Sequence, residues 1–171
     1  SHDGFLGVSR RMSKRVLIIA EIGECWNGDF GRATQLIEIA AGAGCDYAKF
    51  QILDRDGVAQ DDPEREWFLR LALDLEQLKE LRRHAVANGI GFLVTPVRRQ
   101  QAEMLAVIGC DEVKIASLCL LDDELLDFVS TRFRRFFVST GMAELDEVDA
   151  VVQRLRSVPE LYLLHCISEY P

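Results

Sequence analysis

The chain has 171 residues, and its hydrophobic fraction of 49% allows one domain with a substantial core and argues against disorder. Its 20 basic and 28 acidic residues give a net charge of -8, which argues against nonspecific binding to nucleic acid or to an anionic membrane surface. An anionic small molecule stays compatible with this charge, because a few well-placed lysines can create a local positive field.

The cysteines and the N-terminus indicate the compartment. The five cysteines, at positions 25, 45, 110, 119 and 166, are odd in number and lack CxxC spacing, which predicts free thiols of a reducing compartment. No apolar run approaches the ~18 residues of a membrane span. Residues 1–15 contain no strong signal-peptide core, so we predict a flexible leader before one domain at residues 16–171 of a cytoplasmic protein.

Strand-like and helix-like segments alternate along the chain. Strand-like runs begin near Val16, Tyr47, Gly91, Glu112, Phe136 and Glu160. Helical patterns cover residues 29–44, 76–88 and 99–108, a fourth begins near residue 122, and a fifth covers residues 146–158. This alternation predicts an α/β fold with parallel strands and right-handed crossovers.

Two architectures fit this alternation, an open doubly wound sheet and a (β/α) barrel. The stretch from Gly23 to Gly28 lacks the glycine spacing of a dinucleotide-binding turn. Polar residues end every predicted strand, which is typical of a barrel, whose complete form needs ~250 residues. We therefore predict a TIM-type (β/α) barrel that is incomplete in this chain, with about six strands and five helices.

An insertion at about residues 54–74 lengthens the connection between the second and third predicted strands. Trp67, Phe68 and Leu71 indicate a short helix inside it. A long loop at the ligand-binding end of a barrel can act as a lid, and a surface excursion explains the same pattern equally well.

Two lysines are predicted to point into the interior. Lys49 and Gln51 share one face of the second strand, to which Tyr47 belongs if the alternation continues, and Lys114 repeats the pattern in the fourth strand. A lysine on an edge strand that faces solvent is the alternative for Lys49. A lysine inside a barrel needs an anion to offset its desolvation, and two such lysines repel each other without one. A phosphate or a carboxylate is the natural ligand.

Hydroxyl groups and one carboxylate follow the strands at the same rim. The hydroxyl-bearing residues are Thr95, Ser117, Ser139 and Ser168. Together with both lysines they resemble a phosphate cradle, although each alone is more typical of a turn or a cap. Glu21 ends the first strand and faces this cradle as a base or as an acceptor for a sugar hydroxyl.

Several other polar residues are interpreted as structural. His165 is interpreted as a hydrogen-bonded core or rim residue in preference to a metal ligand, because adjacent Cys166 points to the opposite face of the strand. Met142 is assigned to the core. Arg134 and Arg135, with Arg132, are expected to form a solvated turn at the opposite end of the barrel.

Taken together, the motifs resemble the sialic acid synthase family, whose enzymes condense phosphoenolpyruvate (PEP) with a sugar. The matching stretches occur in the family's order and are Ile19-Ala-Glu-Ile-Gly23, Asn27-Gly28-Asp29, Ala48-Lys-Phe-Gln51, Gly89-Ile-Gly-Phe-Leu-Val-Thr-Pro96, Val113-Lys-Ile-Ala-Ser117, Val138-Ser-Thr-Gly-Met-Ala143 and Leu164-His-Cys-Ile-Ser-Glu-Tyr-Pro171. Each motif alone is weakly specific, and the ordered set is highly specific.

This resemblance implies a (β/α)8 barrel followed by a small antifreeze-like domain. It implies a reaction in which PEP condenses with N-acetylmannosamine or a related amino sugar to give a sialic-acid-like nonulosonic acid and phosphate. By motif, the residues that would hold PEP are Lys49, Thr95, Lys114, Ser117 and Ser139. Gln51 and Tyr170 would border the substrates, and Glu21 would contact the reacting sugar or its water.

The resemblance also implies a divalent metal, Mn or Mg, whose histidine ligands are expected outside this chain, and a homodimer in which the antifreeze-like domain covers the partner's barrel. The chain departs from the family at Cys25-Trp26, Val97-Arg98 and Leu118-Cys119. It also departs at Ser168, a position where some members have Asn. These positions lie on the sugar side more than on the phosphate side, so the sugar acceptor stays open.

Two alternatives remain open at this point. One is another PEP-condensing synthase that makes a different sugar acid. The other is a noncatalytic module that binds PEP or phosphate and pairs with another chain through its open strand edges. We expect little or no synthase activity from the isolated 171-residue chain.

Overall fold

A computed structural model describes residues 15–53 and 57–169. Apart from Arg15, the predicted leader lies outside the described residues, as does Tyr170. Within these ranges strands and helices alternate, except that two helices lie between the second and third strands.

The described residues contain six strands and six α-helices. The strands are β1 (Ile19–Gly23), β2 (Tyr47–Gln51), β3 (Gly91–Thr95), β4 (Glu112–Ile115), β5 (Arg135–Ser139) and β6 (Glu160–Leu164). The helices are α1 (Phe30–Gly42), α2 (Arg65–Leu71), α3 (Leu75–Ala87), α4 (Arg99–Val107), α5 (Asp123–Ser130) and α6 (Leu145–Arg154). A 3₁₀ turn at Ser117–Cys119 follows β4, and α2 is the short helix predicted within the insertion.

The strands form two parallel three-stranded sheets, ordered β1-β2-β3 and β4-β5-β6. β3 and β4 lie next to each other, so the two sheets follow one another in space. The expected parallel α/β arrangement is therefore confirmed, and the described strands form no closed barrel. Because every observed pair is parallel, the C-terminal ends of the strands meet at one rim.

Three aspartates fix where helices begin. Asp29, which the sequence predicts as a cap, accepts a hydrogen bond from the backbone of Arg32, and Asp122 accepts one from Leu125. Asp74 and Gln77 form a reciprocal capping box at the start of α3. These bonds satisfy backbone donors that a helix cannot pair internally.

Two predicted boundaries were wrong by at least three residues. β1 begins at Ile19 and not near Val16, because the backbone of Ile18 pairs with Asp46 before the strand, and its N–H donates to the Asp46 carboxylate at 2.8 Å. α6 ends at Arg154 and not at Val158, because the chain turns after Leu155, whose carbonyl accepts from the Val158 N–H.

Apolar side chains pack on both faces of the strands. The main core joins the outer strand faces to the helices, and it includes the predicted inward residues of α3 and α5. A second cluster lies on the inner face and contains Tyr47, Leu93 and Phe137. The rings of Tyr47 in β2 and Phe137 in β5 are 5.5 Å apart, so the inner faces of the two sheets face a shared interior.

The lower end of this interior holds an ion-pair network. Arg135 binds both carboxylate oxygens of Glu160, at 2.8 and 3.0 Å, and donates to Glu112 at 2.7 Å. The Tyr47 hydroxyl donates to the same Glu112 oxygen at 2.9 Å and also contacts Arg135. The prediction of a solvated turn is therefore wrong for Arg135, whose position in β5 shares the inner face with Phe137 and Ser139.

Burial governs the protonation of this network. Burial raises the pKa of Tyr47 to about 12, helped by the Glu112 charge, and burial also raises the pKa of Glu112. Hydrogen bonds from Arg135 lower the pKa of Glu160. The network fills the end of the interior opposite the rim.

The described part of the insertion packs on the turn between β1 and α1. Trp67 donates its indole N–H to the Asn27 side chain at 3.1 Å, and Gly28 lies against the backbone of Arg70. Asn27 adopts a positive φ of 51°, which is uncommon outside glycine. The insertion thus supports the chain that leaves β1.

The length and hydropathy of the helices show whether any of them could span a membrane. Within residues 15–53 and 57–169, every helix is too short or too polar to cross a bilayer.

Candidate functional site

A cleft of about 640 Å³ opens at the rim where the strands end. Its lining includes the predicted site residues Glu21, Lys49, Gln51, Thr95, Lys114, Ser117, Ser139 and Ser168. The structure therefore brings together eight of the nine predicted site residues, and the ninth, Tyr170, lies outside the described residues. No residue of the described part of the insertion lines this cleft.

Glu21 and Lys49 form an ion pair at one side of the cleft. They are partners across the β1–β2 ladder, and Lys49 Nζ lies 2.5 Å from Glu21 Oε2. A register shift follows Glu21, where Gly23 adopts a φ of 48°. Such bulges redirect side chains at the ends of strands. Lys49 is buried and Glu21 is more than half exposed, so the carboxylate faces the open side.

Lys114 lies buried at the other side of the cleft. Its Nζ donates to Ser139 Oγ at 2.7 Å and to the Ile115 carbonyl at 2.8 Å. An ammonium group has three N–H donors, so among the described residues one donor remains for a ligand. Burial, with the positive charge of Lys49, lowers the pKa of Lys114 from 10.5 to about 8. An anion between the two lysines would stabilise the charged form of Lys114 and so offset both the burial and the repulsion from Lys49.

The pKa of Lys114 predicts how stability depends on pH. Because its pKa is lower in the folded state, the unfolded chain binds more protons between about pH 8 and pH 10.5, and stability from this group rises with pH there. Replacing Lys114 by Met removes the buried charge. We expect Lys114→Met to raise the free energy of unfolding at neutral pH by about 2–3 kcal/mol.

Urea unfolding of wild type and Lys114→Met, measured from pH 7 to pH 10, checks this expectation. The difference between the two proteins should shrink as the pH rises, because the wild-type lysine loses its charge. Lys79→Met is the control, since Lys79 lies in an exposed pair with Glu76. A difference that stays constant across this pH range would refute the assignment of a buried charge to Lys114.

Thr95 presents a buried hydroxyl to the cleft without a partner. It ends β3 and is only 4% exposed, and its Oγ1 has no hydrogen-bond partner among the described residues. A buried unpaired hydroxyl costs free energy, so native proteins rarely keep one without a ligand or a water. The Thr95 hydroxyl therefore marks a position where a bound polar group belongs.

Substitution of Thr95 should separate binding from stability. If the cleft binds PEP, as the resemblance implies, Thr95→Val should bind it about 5- to 20-fold more weakly, because one hydrogen bond to a charged ligand is lost. The folded state should keep its stability, since the hydroxyl has no partner among the residues that the structure describes. Calorimetric titration and thermal unfolding measure the two effects. Thr95→Ser keeps the hydroxyl and should stay within about threefold of wild type; equal affinity in Thr95→Val would contradict the role.

A third group of polar atoms surrounds Gly141, after β5. The Gly141 N–H donates to Ser117 Oγ at 3.1 Å. A Cβ at this position would lie 2.9 Å from Ser117 Oγ and would collide with the Ser168 hydroxyl. A side chain at this position would force both serine hydroxyls to move, so their close approach favours glycine here. Ser117 and Ser168 converge on this glycine, and Ser168 is exposed at the open side.

Seven of the residues that line the cleft were not predicted as part of the site, and Cys166 and Met142 are among them. The Cys166 thiol lies 3.3 Å from Ser139 Oγ, and it follows Leu164 and precedes Ser168 on the same alternating face. That alternation could have revealed it. Met142 was predicted in the core, but it is 77% exposed with a φ of 65° and lines the cleft. The prediction was wrong because Met142 lies in the turn after β5 at the open rim and not within a packed element.

The remaining polar candidates do not form a metal site. His165 is exposed and does not line the cleft. Within the described ranges, no group of three or more His, Cys, Asp or Glu side chains could hold a metal ion. The residues described here therefore do not fit the divalent metal implied by the resemblance, and no step through a metal follows from them.

Comparison with known proteins identifies the family. Residues 36–171 match the sequence profile of the NeuB family. The chain belongs to the NeuB family. It is 33% identical over 177 residues to the N,N'-diacetyllegionaminic acid synthase of Campylobacter jejuni, a match covering 92% of this chain and 53% of that protein. It is 29% identical to the N-acetylneuraminate-9-phosphate synthase of Drosophila melanogaster, covering 96% of this chain and 48% of that protein.

Solved structures of NeuB-type proteins share the fold. The crystal structure of N-acetylneuraminic acid synthetase from Leptospira borgpetersenii in complex with citrate superposes with a TM-score of 0.85 at 28% identity. This match covers 91% of the chain and 55% of the Leptospira protein. The chain thus spans about half the length of the curated relatives it matches. The predicted resemblance to sialic acid synthases is confirmed.

Proposed function

We propose that the rim cleft binds PEP and that this cleft is part of the active site of a sugar-acid synthase. That enzyme would condense PEP with N-acetylmannosamine or a related amino sugar, giving a sialic-acid-like nonulosonic acid and phosphate. The observation that carries the proposal is a pair of buried lysines, Lys49 and Lys114, that line the same cleft. Their positive charges repel each other. An anionic ligand offsets that repulsion.

The chemistry of the cleft matches the two anionic ends of PEP. The ammonium groups of Lys49 and Lys114 supply charge, and the hydroxyls of Thr95 and Ser139 supply short directed hydrogen bonds. The cleft volume of about 640 Å³ lies within the usual range for small-molecule sites. Charged ligands in such clefts are oriented by a few fixed donors.

Glu21 faces the same cleft from the open side. Its carboxylate pairs with Lys49 in the structure and stays more than half exposed. Binding of a phosphate or carboxylate near Lys49 would compete for that ammonium group and free the carboxylate. Glu21 would then accept a hydrogen bond or a proton from a sugar hydroxyl or from water.

The names of the relatives support the substrate class. Relatives are named synthases of N,N'-diacetyllegionaminic acid and of pseudaminic acid, and the Leptospira protein is a sialic acid synthetase bound to citrate, itself a polycarboxylate. In this proposal the two sheets are the first six strands of an eight-stranded barrel. We also propose that the protein is a cytoplasmic homodimer. It would use a divalent metal whose ligands lie outside the residues described.

Incubation of this chain within the longest natural polypeptide that contains it, with PEP, Mn²⁺ and a panel of sugars, tests the proposed activity, because the isolated 171 residues are not expected to turn over. Mass spectrometry should detect a nonulosonic acid from N-acetylmannosamine or another amino sugar, together with released phosphate. A product from simple aldoses alone would favour a different PEP-condensing synthase. Binding of PEP without any product would favour the noncatalytic module.

A further inference from the structure

The thiol of Cys166 lies inside the anion cleft. Its Sγ is 3.3 Å from Ser139 Oγ, and the same hydroxyl oxygen accepts the Lys114 ammonium hydrogen bond at 2.7 Å. The Cys166 thiol also contacts the Leu164 carbonyl at 3.4 Å. The Cys166 side chain is half-buried and lines the cleft, so a small molecule in the cleft can reach it.

An independent feature of the same cleft points to a ligand there. Thr95 Oγ1 is buried, lines the cleft and has no hydrogen-bond partner among the described residues. A group that satisfies Thr95 and the remaining donor of Lys114 would occupy the space beside Ser139 and Cys166. An adduct on the sulfur of Cys166 would extend into that space.

The other four cysteines differ from Cys166. Cys110 and Cys119 are buried, and burial raises the pKa of both thiols to about 11, which disfavours the reactive thiolate. Cys45 is half-buried and packs against the main core. Cys25 is exposed on the turn after β1 and does not line the cleft. Cys25 is therefore the natural internal reference for thiol reactivity.

We propose that Cys166 is a modification site for small thiol-directed electrophiles, and that modification of its sulfur and anion binding exclude each other. This inference rests on the proposed function, since it takes PEP as the occupant of the cleft. A thiol-reactive compound that modifies Cys166 would then prevent the anion from binding in the cleft. The modified sulfur lies next to Ser139 and blocks the position of the bound anion.

Methyl methanethiosulfonate is a suitable probe because its product is small, neutral and reversible. The Cys166 thiolate attacks the sulfenyl sulfur, an S–S bond forms to the methylthio group, and the S–S bond to the sulfonyl group breaks. Methanesulfinate leaves with the electron pair, and the thiol proton goes to solvent. Dithiothreitol reverses the reaction by thiol–disulfide exchange.

Peptide mass spectrometry and PEP calorimetry of the same samples test the inference. We expect Cys25 and Cys166 to react, and saturating PEP to protect Cys166 while Cys25 reacts unchanged. Labelled protein should bind PEP at least about tenfold more weakly, and dithiothreitol should restore the affinity. The variant Cys25→Ala should lose PEP affinity on labelling as wild type does. The PEP affinity of Cys166→Ala should be the same before and after treatment with the reagent.

Distinct results separate this inference from the proposed function. PEP affinity that survives complete labelling of Cys166, or a Cys166 that stays unlabelled while Cys25 reacts, overturns the inference alone. Absence of PEP binding by the folded protein before any reagent is added overturns the proposed function, and the inference falls with it. Equal loss of affinity in the Cys166→Ala variant after treatment would assign the effect to another cysteine and would also overturn the inference.

Discussion

Replacing both Lys49 and Lys114 by Met is expected to weaken PEP binding about 1,000-fold, and each single replacement about 10- to 100-fold. Each buried ammonium supplies a charge-assisted hydrogen bond to the anion, and such bonds contribute about 1.5–3 kcal/mol. Methionine keeps the length of the side chain and removes the charge. Both lysines lie in the lining of the rim cleft, so no other described lysine can take their place there.

Calorimetric titration with PEP measures this loss, and circular dichroism shows whether each variant is folded. Lys79→Met is the matched control, because Lys79 lies on α3 in an exposed pair with Glu76. Its affinity for PEP should equal that of wild type. A folded double variant that binds PEP within about threefold of wild type would refute the role of the lysines.

Trp26→Ala is expected to lower the free energy of unfolding by about 3–5 kcal/mol, since truncating a large buried aromatic leaves a cavity. Trp26 is only 2% exposed and belongs to the main core. For a chain of this size the loss corresponds to a fall in melting temperature of roughly 6–20 °C. The side chain anchors the turn that follows Glu21 and Gly23, so its loss should also loosen that side of the cleft.

Differential scanning calorimetry of Trp26→Ala measures this effect. Cys25→Ala is the matched control, because Cys25 lies next to Trp26 on the same turn but is exposed. The control should change the melting temperature by no more than about 2 °C. A change of similar size in both variants would show that Trp26 is not a core anchor.

The sequence contained enough information to place the two lysines. Alternation in β2 and β4 predicted Lys49 and Lys114 on the inner faces, and both are buried there. The prediction held because strand periodicity is a local property that the tertiary structure leaves unchanged. Helix starts at Asp29 and Asp122 were predictable for the same reason, since a cap depends on neighbouring residues only.

Arg135 was missed because its predicted strand was started one residue too late, at Phe136. The alternation from Ser139 back through Phe137 reaches Arg135 and would have placed it on the inner face. Its partners Glu112 and Glu160 lie on neighbouring strands, far away along the chain. Strand register is needed to bring these charges together, and strand boundaries are the least certain part of a sequence-based prediction.

Other features of the site were beyond local patterns. The positive φ of Met142 arises from the loop after β5, and nothing in its neighbouring residues signals it. The lack of a partner for Thr95 is a property of the assembled cleft, since it depends on which donors and acceptors the other strands supply. Local sequence therefore predicts which residues reach the rim, and the three-dimensional structure decides which of them have free hydrogen-bonding capacity.

A crystal structure of the protein soaked with PEP would test the central claim most directly. The account predicts density for one PEP molecule in the rim cleft, with an anionic group within hydrogen-bond distance of Lys114 Nζ and Thr95 Oγ1 and a second one near Lys49. An empty cleft at saturating PEP, or PEP bound only at a surface outside the rim cleft, would contradict it.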